Sequence, residues 1–207
     1  MSTKSPSHKL SHKKKSLRKK PTKNHKTNCY IFHDHPEFKP NLSPLEVISQ
    51  GAFGGTYFRP ITSQITHKNY KNRYQRYFSQ AELDKCKIIV AEHLTRPYDN
   101  YQTKINKYKV KCGQKLEDWE KKNWITHHDP YGWFEWYCNF YSGRRIAKED
   151  ARQIKRWQEF CGEKGRFSQR LKNMVRKKKT NPTNPEISPR IRQTLIHWAY
   201  ELTNHNF

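Results

Sequence analysis

Apolar residues in the second half of the chain recur at helical spacing. Ala147, Ala151, Ile154, Trp157 and Cys161 follow an i, i+4, i+7 course, with Arg152, Lys155, Arg156 and Glu159 between them. Gly162 and Gly165 break that pattern, and Phe167, Leu171, Met174 and Val175 open a second stripe. Ile191, Leu195, Trp198, Ala199 and Leu202 make a last one, begun by Ser188-Pro189. Upstream, Leu116, Trp119 and Trp124 mark a helix. Asp129-Pro130 reads as an N-cap with proline at N1, opening the segment PYGWFEWYCNFY, with Gly143 at C′.

The first half is less regular. Ser43-Pro44 caps a short helix over Leu45, Val47 and Ile48, closed by Gly51. AFGGTYFRPITS (residues 52–63) reads as a loop or short extended piece, and Ser79 caps a helix over residues 81–90. No segment alternates cleanly enough to predict a strand. Residues 1–28 hold almost nothing apolar and have no core to join. The pattern therefore predicts a mostly α chain: a compact helical domain with an aromatic-rich core over residues 29–207, an irregular N-terminal half, and a disordered basic N-terminal tail over residues 1–28.

Composition sharpens this picture in one respect. Hydrophobic residues are 33% of the chain, but 14% are aromatic, and large rings bury much area each. WFEWYCNFY places rings around a full helical circumference, which marks a central buried helix rather than a platform for stacked bases. Five cysteines are scattered without CxxC spacing, as expected of free thiols in a reducing compartment. No apolar run approaches a membrane span, and the basic N-terminal stretch lacks the apolar centre of a signal peptide.

Charge changes the picture most. Forty-two Lys and Arg stand against 18 Asp and Glu, a net +24. The expected partner is nucleic acid, because each cation on a phosphate releases condensed counterions. Two clusters carry that expectation. In the tail it is Lys13, Lys14, Lys15, Arg18, Lys19 and Lys20, a nuclear-localisation or nucleic-acid patch. In the folded part it is the basic faces of the two helices between residues 144 and 179. Those residues are Arg144, Arg145, Arg152, Lys155, Arg156, Lys164, Arg166, Arg170, Lys172, Arg176 and Lys177, joined by a glycine-bounded turn whose amides are further candidates for phosphate. A solvated helix face and a solubilising tail are the plainer alternatives.

Several blocks resemble an uncharacterised family of small basic proteins from fungi, algae and large DNA viruses. They are FGGTYFRPI (53–61), INKYKVKCGQKLEDWEKKNWI (105–125), DPYGWFEWYCNFYSGRR (129–145), RQIKRWQEFCGEKGRF (152–167) and SPRIRQTLIHWAYELT (188–203). The resemblance spans residues 37–203. It implies one shared domain with the basic tail outside it, and no activity, cofactor or catalytic residue. Lys109 and Asn123 stand where the family's blocks carry glycine.

Candidate chemistry is sparse. Gly54-Gly55 with Arg59 offers backbone amides and a cation to a phosphate but lacks the P-loop GK[ST]; a tight turn with Arg59 in an ion pair is the plainer reading. Cys29, His33, His35, Cys112, His127 and His128 show no zinc-finger spacing. His127-His128-Asp129 suggests a general base with its orienter, against Asp129 as a simple cap. The expected function is non-enzymatic nucleic-acid binding through phosphates with little sequence specificity, as in packaging or chromatin association, in a nucleus or a virion. It needs no cofactor and no metal. The alternatives are a small nucleic-acid-processing enzyme and a structural protein that binds an acidic partner.

Overall fold

WFEWYCNFY forms one helix and is buried on nearly its whole circumference. Trp136, Tyr137 and Phe140 have no exposed surface, and Trp133, Phe134 and Cys138 have very little. A helix apolar on every side is a central one, and this helix is the axis of the molecule. The computed structural model describes residues 21–207.

In chain order the elements are β1 (Thr22–Lys23), β2 (Tyr30–Ile31), α1 (Pro44–Ser49), β3 (Ile61–Ser63), β4 (Lys68–Tyr70), α2 (Gln80–Lys85), α3 (Val90–His93), α4 (Leu116–Lys121), α5 (Trp133–Tyr141), α6 (Ala147–Cys161), α7 (Arg166–Lys178) and α8 (Pro189–His197). The architecture is mostly α, with two small antiparallel hairpins, β1–β2 and β3–β4. The long helices all lie after residue 130. The half before them is short helices, 3-10 turns and loops wrapped on α5 and α8, as its irregular sequence suggests.

The core is aromatic, and its centre comes from a loop. Phe38 has no exposed surface and meets Trp136, Tyr137, Phe140 and Trp157 with ring centroids 5.1–5.7 Å apart, mostly edge to face. The polar atoms on the large rings are satisfied. Trp136 Nε1 donates to Asp150 Oδ1 at 2.8 Å, Tyr137 Oη to the Leu42 carbonyl at 2.7 Å, and Trp157 Nε1 to the Trp198 carbonyl at 2.8 Å. A buried Tyr or Trp without such a partner costs about 1–3 kcal/mol.

One of the buried charges lies on α5 itself. Glu135, on α5, is fully buried and accepts from Arg73 Nε and Nη2 at 2.8 and 2.6 Å, from Tyr77 Oη at 2.9 Å and from the Tyr131 amide at 2.9 Å. Burial raises its carboxyl above the usual range, against the Tyr131 amide and the Arg73 charge. These bonds fasten the loop after β4 and the turn before α5 onto that helix.

Several expected boundaries move. The hairpin β1–β2 sets the start of the described fold at Thr22 rather than near residue 29, and Lys23 pairs with Glu46 at 2.9 Å. Asp129 does not cap α5. Residues 129–132 make a turn ending at Gly132 (φ 88°), which is the N-cap, and the carboxylate of Asp129 lies elsewhere. The helix expected over 81–90 is broken into α2 and α3 by Lys87, which adopts φ 55°. Trp124 falls outside α4. Trp198, Ala199 and Leu202 lie beyond α8 because Ala199 turns left-handed (φ 54°). Met174 is more than a third exposed and lies off the apolar seam of α7. Ser43 does cap α1, in a full capping box with Glu46, with Pro44 at its start.

Lys109 and Asn123, the two departures from the resembled blocks, both take left-handed backbone with φ 55°. Lys109→Gly should therefore stabilise the fold by about 0.5–1 kcal/mol, despite the extra freedom glycine gives the unfolded chain. Chemical denaturation of the variant tests this, and a loss of stability would show that the backbone there is unstrained. The buried pair makes a larger prediction. Arg73→Ala leaves Glu135 as an uncompensated buried charge and should cost about 3–5 kcal/mol. Adding Glu135→Gln should restore much of that loss, and additive effects in the double-mutant cycle would show that the two groups act independently.

Candidate nucleic-acid interface

α6 and α7 are joined by residues 162–165, and the turn is tight because it is glycine at both ends. A Cβ on Gly162 would lie 2.6 Å from the Gln158 carbonyl oxygen, and one on Gly165 2.7 Å from the Cys161 nitrogen. Two of the turn amides are used internally. Gly162 N–H donates to the Trp157 and Gln158 carbonyls and Gly165 N–H to the Gly162 carbonyl, so neither is open to a phosphate as the sequence had suggested.

α7 packs by a narrow seam of Ser168, Leu171 and Val175. Directly opposite, at helical spacing, stand Arg166, Arg170, Asn173 and Lys177, all exposed. Arg176 and Lys178 are exposed beside them, and Lys172 is half-buried, its ammonium held below its usual value by burial and by Arg176. From residue 164 to residue 185 the chain contains no Asp or Glu. Among the described residues no carboxylate forms an ion pair with any of these cations, although Glu163 acts on Lys172 from farther off. Arg166 lies 5.1 Å from the Phe160 ring centroid, and Arg176 lies 5.0 Å from that of Phe207 and donates to Asn173. Lys155 on α6 and Lys164 in the turn are exposed as well.

The other arginines of the expected set belong to the fold. Arg144 clasps the buried Asp129 carboxylate with two bonds, 2.7 and 2.5 Å, and Asn139 completes that site at 2.8 Å. Arg145 pairs with Asp34 at 2.8 Å and lies 3.7 Å from the Phe140 ring centroid. Arg152 pairs with Glu149 at 2.7 Å. Arg156 was expected to face solvent. Instead it lies over the Trp124 and Trp198 rings and bonds Gln153, and burial together with Arg152 brings its pKa down to about 10. The exposed cationic set thus contracts onto α7, Lys155 and Lys164. Lys13, Lys14, Lys15, Arg18, Lys19 and Lys20 lie outside the described residues.

The remaining candidates resolve as follows. Gly54 and Gly55 let a later segment lie against the 52–55 turn: a Cβ on Gly54 would sit 2.5 Å from the Tyr101 ring, and one on Gly55 2.2 Å from the Glu92 carbonyl oxygen. Among the described residues Arg59 makes no ion pair. It donates to the Thr56 carbonyl at 3.1 Å and lies 5.3 Å from the Tyr98 ring centroid. Both oxygens of Asp129 are engaged by Arg144 and one also by Asn139, so Asp129 orients neither His127 nor His128. Among the described residues no three His, Cys, Asp or Glu side chains cluster to hold a metal, and no helix is long and apolar enough to cross a membrane.

Two features have no signal in the sequence. Lys111 and Lys115 join Arg59 at Tyr98, each 5.6 Å from the ring centroid, a convergence of three separate segments. Cys112 Sγ lies 3.6 Å from Nε2 of the buried His197, but burial raises the thiol to about 11 and lowers the imidazole to about 3. The pair is neutral, the opposite of an activated thiolate. His197 Nε2 accepts the Phe53 N–H at 3.1 Å, a bond that protonation would break.

No family model matches this chain, and neither a curated protein nor a solved structure matches it.

His197 carries a pH prediction. In the unfolded chain it binds a proton below about pH 6.5, whereas in the fold it stays neutral until about pH 3. The unfolded state therefore binds more protons in this window, so the stability is complete above about pH 6.5. It falls with pH by about 1.4 kcal/mol per unit from this residue. Unfolding free energies measured from pH 7 down to pH 5 should steepen toward this slope, and His197→Gln should flatten it. An equal slope in the variant would assign the effect to other groups.

Proposed function

We propose that the chain is a non-enzymatic nucleic-acid-binding protein that contacts phosphates with little sequence reading. One observation carries this reading: α7 presents an exposed cationic face along its length, within a run of residues that contains no acid. Surface cations are ordinarily interleaved with carboxylates, and here those carboxylates are absent. Such a face repels itself in isolation and is relieved by a polyanion whose charges are closely spaced.

Lys155 and Lys164 supply further contacts, and the basic residues between 13 and 20 supply a separate one. Arg144, Arg145, Arg152 and Arg156 serve the fold and are not part of this face. Packaging or association with chromatin, in a nucleus or a virion, is the setting this chemistry suits. The same reading places the chain beside the uncharacterised basic proteins its blocks resemble.

The test is a salt titration of binding to duplex and single-stranded DNA and RNA with the full chain. Arg166→Gln, Arg170→Gln and Lys177→Gln together remove three exposed charges while keeping helix-forming residues. The fold should survive, since the seam of Ser168, Leu171 and Val175 is untouched. On duplex DNA the magnitude of the log–log salt slope should drop by up to about 0.9 for each charge, similarly for unrelated sequences. An unchanged slope in the folded triple variant would make the α7 face merely solvated.

A further inference from the structure

A shallow depression, partly open to solvent, lies between the 53–59 segment and the start of α4. A ligand in this cleft would rest on the surface rather than be enclosed by it. Its walls are mostly apolar and aromatic, including Tyr57, Tyr101, Trp119 and Tyr131. Its charge is one-sided. Arg59 and Lys111 line the cleft and Lys115 stands at its edge; the arginine and the 111–115 segment meet over one half-buried ring, Tyr98, with the three cations at 5.3, 5.6 and 5.6 Å from its centroid. Lys111 also lies 5.5 Å from the Tyr101 ring. Among the described residues none of the three cations has an ion-pair partner. Glu117 acts on Arg59 only from beyond ion-pair distance, and burial holds the Arg59 guanidinium below its usual value.

Three cations on one ring are mutually repulsive, and the ring quadrupole offsets only part of that. A multiply charged oxyanion offsets the rest. The planar Arg59 fork and two point-charge ammonium groups suit a phosphate. The exposed aromatic surface beside them suits a flat ring attached to that phosphate.

We propose that this cleft is a second, independent anion site, which takes the phosphate of a nucleotide, free or at the end of a strand. Arg59, Lys111 and Lys115 hold the phosphate, and the base lies toward Tyr98 and Tyr101. The site is local and small, whereas the α7 face is extended, so the two are separable by mutation.

Calorimetric titration of the full chain with inorganic pyrophosphate, adenosine monophosphate and a 5′-phosphorylated tetranucleotide at moderate salt tests this. At least one probe should bind saturably at one site. Lys111→Gln with Lys115→Gln should weaken that binding about tenfold or more, since two charge-assisted contacts are lost. Both lysines are exposed, so the unfolding midpoint should not move. Arg166→Gln with Arg170→Gln and Lys177→Gln should leave this binding unchanged, so the cleft can fail while α7 stands, and the reverse. Adenosine monophosphate binding as tightly as the tetranucleotide assigns the site to free nucleotides, selective binding of the tetranucleotide assigns it to strand ends, and pyrophosphate binding as tightly as both would overturn the base contact. Absence of saturable binding by every probe, or equal losses in the two sets of variants, would overturn the proposal.

Discussion

A carboxylate with no access to water, set in a helix made otherwise almost wholly of rings, is the constraint around which the molecule is built. Glu135 cannot remain ionised there without Arg73, nor reach Arg73 unless the loop after β4 folds back on α5. The same oxygens draw in Tyr77 and the Tyr131 amide. Nearby acids are used in the same inward way. Asp129 holds Arg144, and Asp150 accepts from the indole of Trp136 and the Ile146 amide. Glu120 accepts the Gln64 amide. Five of the chain's acids, Glu120, Asp129, Glu135, Glu149 and Asp150, are buried. Most of the others are exposed, but among the described residues none pairs with a cation of α7. This allocation of acids leaves the α7 face uncompensated.

That allocation explains which parts of the sequence could be read. The helices α6 and α7 were visible from periodicity, and the ring density of residues 133–141 marked α5 as central. The stripe of α6 was read only in part: Ile154, Trp157 and Cys161 are buried, but Ala147 and Ala151 are exposed and Glu149, Asp150 and Gln153 turn inward instead. Ser43-Pro44 was visible because capping is local chemistry. Asp129-Pro130 carried the same local signal and misled, because Arg144 and Asn139 compete for that carboxylate from across the fold. Breaks at Lys87 and Ala199 were hidden because left-handed backbone there is carried by residues with no preference for it. Phe38 gave no sign of its place at the centre, since it belongs to no periodic segment.

The candidate interface was legible in the same uneven way. Net charge and helical phase identified the α7 face. They could not separate Arg170, which is exposed, from Arg156, which lies against Trp124 and Trp198. Both sit among similar neighbours along the chain, and only the packing of α6 against distant rings tells them apart. The Arg59, Lys111 and Lys115 convergence lies wholly beyond one-dimensional reading. It exists because Gly54 and Gly55 let the segment carrying Tyr98 and Tyr101 lie against the 52–55 turn.

The backbone near residue 41 is fastened to the backbone near residue 200. The Asn41 and Leu42 amides both donate to the Ala199 carbonyl, and the Asn41 side chain bonds the Glu201 main chain in both directions, at 2.7 and 2.8 Å. Phe53 waits in the same way for His197. During synthesis, then, the irregular half is made first but has no scaffold until α5 and α8 have emerged. A nascent chain of 150 residues holds Phe38 and the rings of α5 but lacks Trp157 and Trp198, which complete their packing. The domain closes late and as a unit, and until then an aromatic, strongly cationic polypeptide depends on whatever holds it at the ribosome.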